Sequence, residues 1–443
     1  MKPSIPKGTR DFTPDQIVKR NYIFNTIKSV FVKYGFQPIE TPTMEKLSTL
    51  TGKYGDEGDQ LLFKVLNSGD FLRKAKDFNN YKKLAFQISE KGLRYDLTVP
   101  FARYVVMHQN DIAFPFKRYQ IQPVWRADRP QRGRYREFYQ CDVDIVGSDS
   151  LMFEAELVKI YDEVFSELKI NSTIKINNRK VLAGMAETAG ISDKMIDMTI
   201  AIDKLDKVGI EGVRKEMRER DINNEVIATI ENILKVDNLT ELKAIFENSE
   251  VGRKGVEELE EVFNFLKFSE QTNDIVFDIT LARGLSYYTG CIFEVAANDV
   301  KMGSIGGGGR YDDLTGMFGL KNVSGVGVSF GAERIYDVME ELELFPKDDS
   351  QNLKLLFVTF DQESFMYAYK ALIEIRKAGI NAELYPEPVK MKKQMKYANA
   401  RNVPYVAIVG SQEMENGVLG IKDMESGNQN TLTVRGVIER LGN

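Results

Sequence analysis

Arginine, amide and carboxylate side chains follow one another in the segment GRYREFYQCDVD, which runs from Gly133 to Asp144. If this segment is a strand, alternate side chains share a face. That face would carry Arg134, Arg136, Phe138, Gln140, Asp142 and Asp144. Guanidinium groups suit phosphate because their planar fork matches two oxygens at once, whereas an amide and a carboxylate could receive an ammonium group or a polar ring. The pattern predicts phosphate binding at one end and a small polar pocket at the other, unless the arginines form salt bridges on a solvated hairpin.

Two other segments contain residues that could complete such a pocket. RYDLTVP, interpreted as a strand, would place Asp96 and Thr98 on one face. LARGLSYYTG supplies Arg283, Tyr287 and Tyr288. A site assembled from these segments would combine cations, carboxylates and hydroxyl groups.

Four consecutive glycines, Gly306, Gly307, Gly308 and Gly309, precede RYDDL. Such a run could be a flexible linker. Because it lies between strand-like segments, it more often indicates close approach of the backbone to a neighbour or a ligand. The sequence has neither a Walker P-loop nor a suitably placed G-x-G-x-x-G, so a nucleotide would need another scaffold.

The composition limits the classes of function. The chain has 443 residues, of which 43% are hydrophobic and 28% charged, and its net charge is −5. These values are ordinary for a globular protein and argue against an indiscriminate nucleic-acid coat protein. We find no apolar run near the ~20 residues of a membrane span and no apolar region of a secretory signal. We therefore expect a cytoplasmic protein without a membrane partner.

Histidine and cysteine are scarce. His108 is the single histidine, and Cys141 and Cys291 lie far apart without metal-ligand spacing. We therefore expect no zinc or other metal site in the protein and no Ser-His-Asp chemistry. The reaction would have to depend on carboxylates, cations and positioning.

The elements that would position these residues can be outlined. Thr13, Pro14 and Gln16 predict a capped helix start. Residues 81–146 are interpreted as antiparallel sheet around one helix, PFARYVVMHQND. The strands would be YKKLAFQIS, GLRYDLTVP, FKRYQIQPVWR and RYREFYQCDVDIVG.

The later part of the chain changes character twice. Residues 171–270 are rich in charged residues with helical periodicity, which predicts an inserted helical module. The last 90 or so residues alternate between strand and helix patterns, which predicts a separate α/β module. In its first helix, one stripe would carry Phe365, Ala368, Tyr369, Leu372 and Ile373.

Taken together, four segments resemble class II histidyl-tRNA synthetases. PKGTRDF is similar to their N-terminal signature, and WRADRPQRGRYREFYQCDVDIVG to their motif 2. LARGLSYYTG is similar to the histidine-specific segment, and GVGVSFGAERI to motif 3. Each motif alone is modest evidence, but their order and spacing make the resemblance specific from about Lys7 to the C-terminus.

The resemblance implies an α+β fold, with a class II antiparallel sheet, flanking helices, a helical insertion and a C-terminal α/β anticodon-binding domain. The catalytic domain would span 1–170 and 271–346, the insertion 171–270 and the anticodon-binding domain 352–443. The implied protein is a homodimer that activates histidine with ATP, accompanied by Mg²⁺, and transfers it from histidyl-adenylate to the 3′ end of tRNA(His).

The resemblance also implies roles for individual residues. Asp96, Thr98 and Gln140 would hold the ammonium end of histidine. Asp144 and Tyr288 would meet the imidazole, with Tyr287 beside them. The catalytic residues would be Arg126 and Arg283, and the ATP-binding residues Arg126, Arg134, Arg283 and Arg334. Gly306, Gly307, Gly308 and Gly309 would form the pocket floor. The tRNA-binding residues would be Lys390, Lys392, Lys393 and Lys396.

Two alternatives stay open at this point. A catalytically inactive paralogue could regulate histidine biosynthesis, although such proteins usually lack the C-terminal module. An RNA-binding pseudo-synthetase is the other, although these tend to lose the motif arginines. The insertion is expected to contact the tRNA acceptor arm rather than to edit, because hydrogen-bonding pockets can reject analogues by ~10⁴–10⁵ unaided.

Overall fold

The computed structural model describes residues 2–51, 61–282, 287–346 and 353–442. These residues fall into two units, Met1–Phe345 and Pro346–Asn443. Each unit has its own hydrophobic core. Arg283, which the resemblance assigns to catalysis, lies outside the described residues.

An eight-stranded sheet dominates the described part of the first unit, in the order β1-β5-β6-β11-β10-β9-β7-β8. β1 pairs with β5 and β7 with β8 in parallel, and the other pairs are antiparallel. A small sheet has the order β2-β4-β3. The strands are β1 Gln37–Pro38, β2 Met44–Lys46, β3 Lys64–Val65, β4 Lys91–Leu93, β5 Phe116–Trp125, β6 Glu137–Val146, β7 Ser172–Asn178, β8 Asp274–Phe277, β9 Cys291–Ala297, β10 Gly306–Tyr311 and β11 Gly325–Gly331.

The helices of this unit pack on both faces of the sheet and form the insertion. They are α1 Pro14–Lys33, α2 Leu47–Leu50, α3 Tyr81–Ile88, α4 Thr98–Met107, α5 Met152–Glu167, α6 Arg179–Thr188, α7 Met195–Ile202, α8 Leu205–Glu219, α9 Asn224–Ile233, α10 Leu239–Ile245, α11 Glu250–Leu266 and α12 Ala332–Glu341. The predicted cap of α1 is confirmed: Thr13 Oγ1 accepts from the Gln16 N–H, and the Gln16 side chain accepts from the Thr13 N–H. The fold class predicted from the resemblance is likewise confirmed.

Alternation along β6 separates the core from a polar face. Cys141 and Val143 are fully buried in the core beside α1 and α5. Gln140, Asp142 and Asp144 point to the opposite face, where the cavities described below lie. The interpretation as a two-faced strand is therefore confirmed from Glu137 onward, whereas Arg134 and Arg136 precede the strand instead of belonging to it.

The segment before β5 differs from the sequence prediction. Tyr81–Ile88 is a helix rather than a strand, and the Asn80 side chain caps it by accepting from the Lys83 N–H. The strand at GLRYDLTVP ends at Leu93, and α4 begins at Thr98. Asp96 and Thr98 therefore do not share a strand face. Asp96 instead accepts the Val99 N–H at 3.3 Å, near the start of α4.

The segment expected to form the helical insertion begins with a strand. Ser172–Asn178 is a strand of the main sheet, paired with β9, so these residues do not belong to a helical module. The helices that follow share the core of the first unit. α6 and α11 approach so closely that a Cβ on Gly184 would lie 2.4 Å from the Gly252 Cα, which only glycine permits.

The second unit is the α/β module predicted for the end of the chain. Its described strands have the order β13-β12-β14-β15-β16, with β12, β13 and β14 parallel. They are β12 Leu355–Thr359, β13 Ala382–Leu384, β14 Tyr405–Val409, β15 Leu419–Asp423 and β16 Gln429–Leu432; the helices are α13 Gln362–Lys377, α14 Met391–Ala400, α15 Ser411–Asn416 and α16 Val434–Leu441. In neither unit does a described helix have the length and apolarity to cross a membrane.

Candidate active site

Two adjoining cavities lie on the polar face of the main sheet, among the described residues. The larger has a volume of about 240 Å³ and the smaller about 160 Å³. Both are lined by Arg126, Gln140, Gly307 and Ser329. Strands β6, β10 and β11 contribute to both, so one rigid sheet fixes the position of each cavity relative to the other.

Arginines line the larger cavity. Arg126, Arg134 and Arg334, three of the four residues expected to bind ATP, all contribute to its wall. Arg334 Nε donates to the Gly133 carbonyl at 3.0 Å, and its Nη1 donates to the Ser304 carbonyl. These bonds tie the start of α12 to the loop between β5 and β6 and to the residues just before β10. The wall is therefore cationic and anchored by backbone carbonyls.

The carboxylates of the larger cavity are already paired with arginines. Glu333 accepts from Arg20 Nη1 at 2.6 and 2.8 Å and also pairs with Arg10. The Arg10 guanidinium lies over the Tyr135 ring, 3.4 Å from its centroid. Arg10 and Arg20 thus hold Glu333, the residue that directly precedes Arg334, in a fixed position. The sequence analysis assigned no role to Glu333, although it directly precedes Arg334.

The smaller cavity brings together the six residues expected to bind histidine. Its wall contains all of them, together with three polar residues to which no role was predicted. The expected six are Asp96, Thr98, Gln140, Asp144, Tyr287 and Tyr288; the additional three are Asp142, Tyr311 and Ser329.

Asp144 is held by two buried partners. Its Oδ1 accepts from the Tyr311 hydroxyl at 2.6 Å, and its Oδ2 lies 2.7 Å from Arg118 Nη2. Burial raises the pKa of Asp144, while the Arg118 charge and the Tyr311 hydrogen bond oppose that rise. Arg118 is opposite Asp144 in the β5–β6 register. Arg118 is not among the site residues predicted from the sequence, although FKRYQIQPVWR alternates its polar residues in phase with β6.

Asp142 is also buried, with 3% of its surface exposed. Burial raises its pKa to about 7; the Arg118 charge and a Ser329 hydrogen bond lower it, and the Asp144 and Asp96 charges raise it. Among the described residues, Oδ1 of Asp142 and Oε1 of Gln140 have no hydrogen-bond partner. The smaller cavity therefore offers free acceptors in an acidic setting.

The two tyrosines sit on a fixed segment. Thr289, next to Tyr288, donates its N–H to the Arg310 carbonyl at 2.8 Å and its hydroxyl to Asp312 at 2.5 Å. The Tyr287 hydroxyl lies 3.5 Å from that of Tyr288. Burial raises the pKa of both phenols above the usual value, so both stay protonated and able to donate.

The glycine run is strand β10, not a linker. Gly307 faces both cavities, and Gly306 borders the larger one. A Cβ on Gly309 would lie 2.8 Å from Tyr288 Cδ1, so this glycine makes room for the tyrosine ring. Gly308 borders neither cavity: its Cβ would meet the backbone of β11, 2.2 Å from the Gly327 carbonyl oxygen. Of the expected pocket floor, then, only the first two glycines line the cavities.

The expected tRNA contacts lie in the second unit. Lys390, Lys392, Lys393 and Lys396 are all exposed, at the start of α14 and along it. The same helix is attached to its sheet by the buried Gln394, which accepts the Thr359 N–H at 3.0 Å and donates to the Thr359 carbonyl at 2.7 Å. The lysines therefore project from a fixed helix.

Two models of known protein families match the sequence. The model described as histidyl-tRNA synthetase matches residues 8–335, and the model described as anticodon binding domain matches residues 352–443. The chain belongs to the histidyl-tRNA synthetase family.

Relatives in this family match the chain from end to end. The histidine–tRNA ligase of Bacteroides fragilis is 57% identical over 449 residues, covering 99% of both chains. That of Christiangramia forsetii is 59% identical over 448 residues, covering 98% of both. The crystal structure of histidyl-tRNA synthetase from Nostoc sp. PCC 7120 is 30% identical, with a TM-score of 0.83 over 100% of this chain and 99% of the other.

In this member of the histidyl-tRNA synthetase family, the two cavities suit ligands of different charge. The larger cavity can hold an anion against fixed guanidinium groups. The smaller can hold a cationic, hydrogen-bonding molecule between carboxylates, an amide and phenols. Arg126 borders both, and its Nε donates to the Tyr95 carbonyl at 2.9 Å, which holds it at their junction.

Proposed function

We propose that this protein is a histidine–tRNA ligase, in which the larger cavity binds ATP and the smaller binds histidine. The observation that supports this most strongly is the junction of the two cavities at Arg126. An amino acid held by its ammonium group and its ring in the acidic cavity would direct its carboxylate toward that junction. The α-phosphate of an ATP in the arginine-lined cavity would meet it there.

The first reaction then requires little beyond alignment and fixed charge. A carboxylate oxygen of histidine bonds to the α-phosphorus, and the bond from that phosphorus to the bridging oxygen breaks as pyrophosphate leaves. No proton has to be removed from the nucleophile, since a carboxylate is already ionised. Arg126, and Arg283 by resemblance, would neutralise the charge on the phosphate in the transition state. Arg134 and Arg334 would hold the rest of the nucleotide.

Magnesium is expected to enter as part of the nucleotide substrate. Of the carboxylates in the larger cavity, Glu333 is paired with two arginines, and Asp128 Oδ2 lies 3.3 Å from Arg134 Nε. Within the described ranges, no three His, Cys, Asp or Glu side chains are grouped as a metal ion requires. This donor set suits an ion carried by phosphate oxygens, which is how Mg²⁺ is often bound.

The second reaction transfers histidine to the 3′ end of tRNA(His). The second unit, residues 352–443, would bind the anticodon through the lysines of α14, and the helical insertion would contact the acceptor arm. We further propose that the catalytic domain comprises 1–170 and 271–346 with β7 included, and that the protein works as a cytoplasmic homodimer. Its mass in solution, measured by light scattering, tests the last point: a monomer would contradict it.

The two alternative functions, a regulatory paralogue and an RNA-binding pseudo-synthetase, have less support. A regulatory paralogue without the C-terminal module is disfavoured because that module is present. An RNA-binding pseudo-synthetase is disfavoured because Arg126 and Arg334 are both present and both line the larger cavity. Histidine-dependent exchange of pyrophosphate into ATP separates the three, since only the ligase has this activity. Absence of exchange from a folded, full-length protein would overturn the proposal.

The tRNA contacts can be tested in the full-length protein with matched lysine variants. We expect Lys392→Gln/Lys396→Gln on α14 to raise the KM for tRNA and to reduce the salt dependence of tRNA binding, because each phosphate contact contributes to the salt slope. The control, Lys370→Gln/Lys377→Gln, changes two exposed lysines on α13. Equal effects of the two variants on tRNA binding would exclude a specific role for α14. Pyrophosphate exchange should be unchanged in both.

A further inference from the structure

Asp142 is a buried carboxylate in the smaller cavity to which neither the resemblance nor the comparisons assign a role. Only 3% of its surface is exposed. Its side chain borders the cavity between Gln140 and Asp144. A buried charge needs paired partners, and an unpaired one is costly. The groups that surround Asp142 therefore determine which ligand its carboxylate can bind.

The neighbours of Asp142 in the sheet leave it incompletely paired. Its cross-strand neighbours are Gln120 on β5 and Ser329 on β11. The Gln120 amide nitrogen donates both of its hydrogens elsewhere, to Thr41 at 2.8 Å and to Gln122 at 2.6 Å. Ser329 has a single hydroxyl hydrogen to offer. One carboxylate oxygen, Oδ1, has no hydrogen-bond partner among the described residues.

Arg118, the cation that acts on Asp142, is already paired with Asp144. Arg118 Nη2 lies 2.7 Å from Asp144 Oδ2, so its strongest contact is with Asp144 rather than with Asp142. The wall of the smaller cavity contains three carboxylates, and its one described cation, Arg126, lies at the junction with the larger cavity. The interior of the smaller cavity is therefore short of positive charge. A ligand with a cationic group and several N–H donors would correct both deficits.

Free acceptors cluster at one end of the cavity. Oε1 of Gln140 is another buried oxygen that has no hydrogen-bond partner among the described residues, and it lies two residues from Asp142 on the same strand face. Asp96 approaches the same place from the start of α4 and is close enough for its charge to act on Asp142. We propose that Asp142, together with Asp96 and Gln140, receives the α-ammonium group of the amino-acid substrate.

This inference rests on the proposed function, because it takes histidine as the occupant of the cavity. It adds a second carboxylate to the ammonium site that the resemblance had assigned to Asp96, Thr98 and Gln140. A tetrahedral ammonium group has three N–H donors, so two carboxylates and one amide oxygen match its hydrogen-bonding capacity. Asp144, held by Arg118 and Tyr311, is left for the ring end of the substrate.

The charged and titratable groups that act on Asp142 come from several elements. They are Arg94, Asp96, Arg118, Cys141, Asp144, Tyr161 and Tyr288. Burial raises the pKa of Asp142 to about 7. A cation bound at Oδ1 favours the ionised carboxylate and so lowers that pKa. Near neutral pH, binding of an ammonium ligand should therefore release protons from the wild-type protein.

The test uses three ligands of the full-length protein: histidine, histidinol and imidazolepropionate. Histidinol keeps the ammonium group and lacks the carboxylate, whereas imidazolepropionate keeps the carboxylate and lacks the ammonium group. We expect Asp142→Asn to weaken histidinol binding ~10- to 100-fold in calorimetric titrations, as loss of a hydrogen bond to a charged group implies, and to leave imidazolepropionate binding unchanged. Titrations in buffers of different ionisation enthalpy should show less proton release from the variant.

The control is Asp111→Asn, which changes a carboxylate that is 76% exposed. It should bind all three ligands as the wild type does. If Asp142→Asn binds histidinol as tightly as the wild type, or loses affinity for histidinol and imidazolepropionate equally, the proposed role of Asp142 is wrong. A wild-type protein that binds histidine in none of these titrations and gives no histidine-dependent exchange overturns the proposed function instead.

Discussion

The two cavities differ in charge although the same strands build both. The larger is lined by Arg126, Arg134 and Arg334, and its carboxylates are already paired with arginines. The smaller is lined by three aspartates, one of which keeps an oxygen without a partner among the described residues. A pleated strand makes this possible, because residues two apart share a face while their side-chain types can change along it.

This difference in charge predicts which substrate a substitution in each cavity should affect. A residue at the junction should affect both substrates and the reaction itself. A residue deep in one cavity should affect one substrate alone. Histidine-dependent pyrophosphate exchange measures this separation for Arg126, Asp144 and Arg334, in order of decreasing expected effect, and the melting temperature measures it for Asp142.

The largest effect is expected for Arg126→Ala. Removing one preorganised charge contact to a reacting phosphate typically costs ~10²–10³ in rate, so exchange should fall by that factor. Arg126→Lys keeps the charge but loses the two-pronged guanidinium, and its rate should lie between those of the wild type and the alanine variant. Exchange within a few-fold of wild type in Arg126→Ala would mean that the junction has no part in the reaction.

Asp144→Asn should act on histidine far more than on ATP. The substitution removes the ion pair between the buried Arg118 and Asp144 and weakens an acceptor at the ring end of the cavity. An unmatched buried polar group costs ~1–3 kcal/mol, which corresponds to a ~5- to 150-fold rise in the KM for histidine. The KM for ATP and the melting temperature, measured on the same sample, separate lost recognition from lost folding. Equal rises in both Michaelis constants would contradict the division between cavities.

Arg334→Gln is the converse variant. Its guanidinium borders the larger cavity and donates to the Gly133 and Ser304 carbonyls. We expect the KM for ATP to rise ~10-fold, the lower bound for hydrogen bonds to a charged group, while the KM for histidine stays near the wild-type value. A larger change for histidine than for ATP would show that the cavities are mechanically coupled through β11 and α12.

The hairpin of β5 and β6 shows what the sequence could predict. The alternation of GRYREFYQCDVD gave the correct cavity face, because period-two patterning is a direct consequence of strand geometry. The pairing of Arg118 with Asp144 was missed because it depends on the register between the strands. The residue roles themselves came from the resemblance, not from the pattern.

Two helices show where the sequence failed. YKKLAFQIS was interpreted as a strand, yet Asn80 caps a helix there, and a single asparagine is weak evidence beside an ambiguous apolar run. In α13, Ala368 and Leu372 of the predicted stripe are buried, but Tyr369 and Ile373 remain 48% and 39% exposed. The helix is rotated so that Ala371 and Ile375 lie in the core of the second unit. Which face of this helix is buried depends on the sheet against which it packs, and the helix sequence alone does not determine it.

The smallest effect concerns the stability of the protein without ligands. In the fold, burial raises the pKa of Asp142 from 3.8 to about 7. Between those pH values an unfolded chain ionises this carboxyl while the folded chain does not, so its contribution to stability is lost as the pH rises from about 4 to 7 and is constant above. Asp142→Asn removes that contribution.

The melting temperature of Asp142→Asn relative to wild type should therefore increase between pH 5 and 7 and then level off. The expected difference is a few degrees, since ~1 kcal/mol shifts the melting temperature of a large domain by ~2–4 °C. Saturating histidine should narrow the gap at pH 7.5, because a bound ammonium group favours the ionised carboxylate. The Asp111→Asn control should follow the wild type throughout. A gap that does not change with pH would mean that Asp142 is ionised in the free protein and that the smaller cavity is less deprived of positive charge than its geometry indicates.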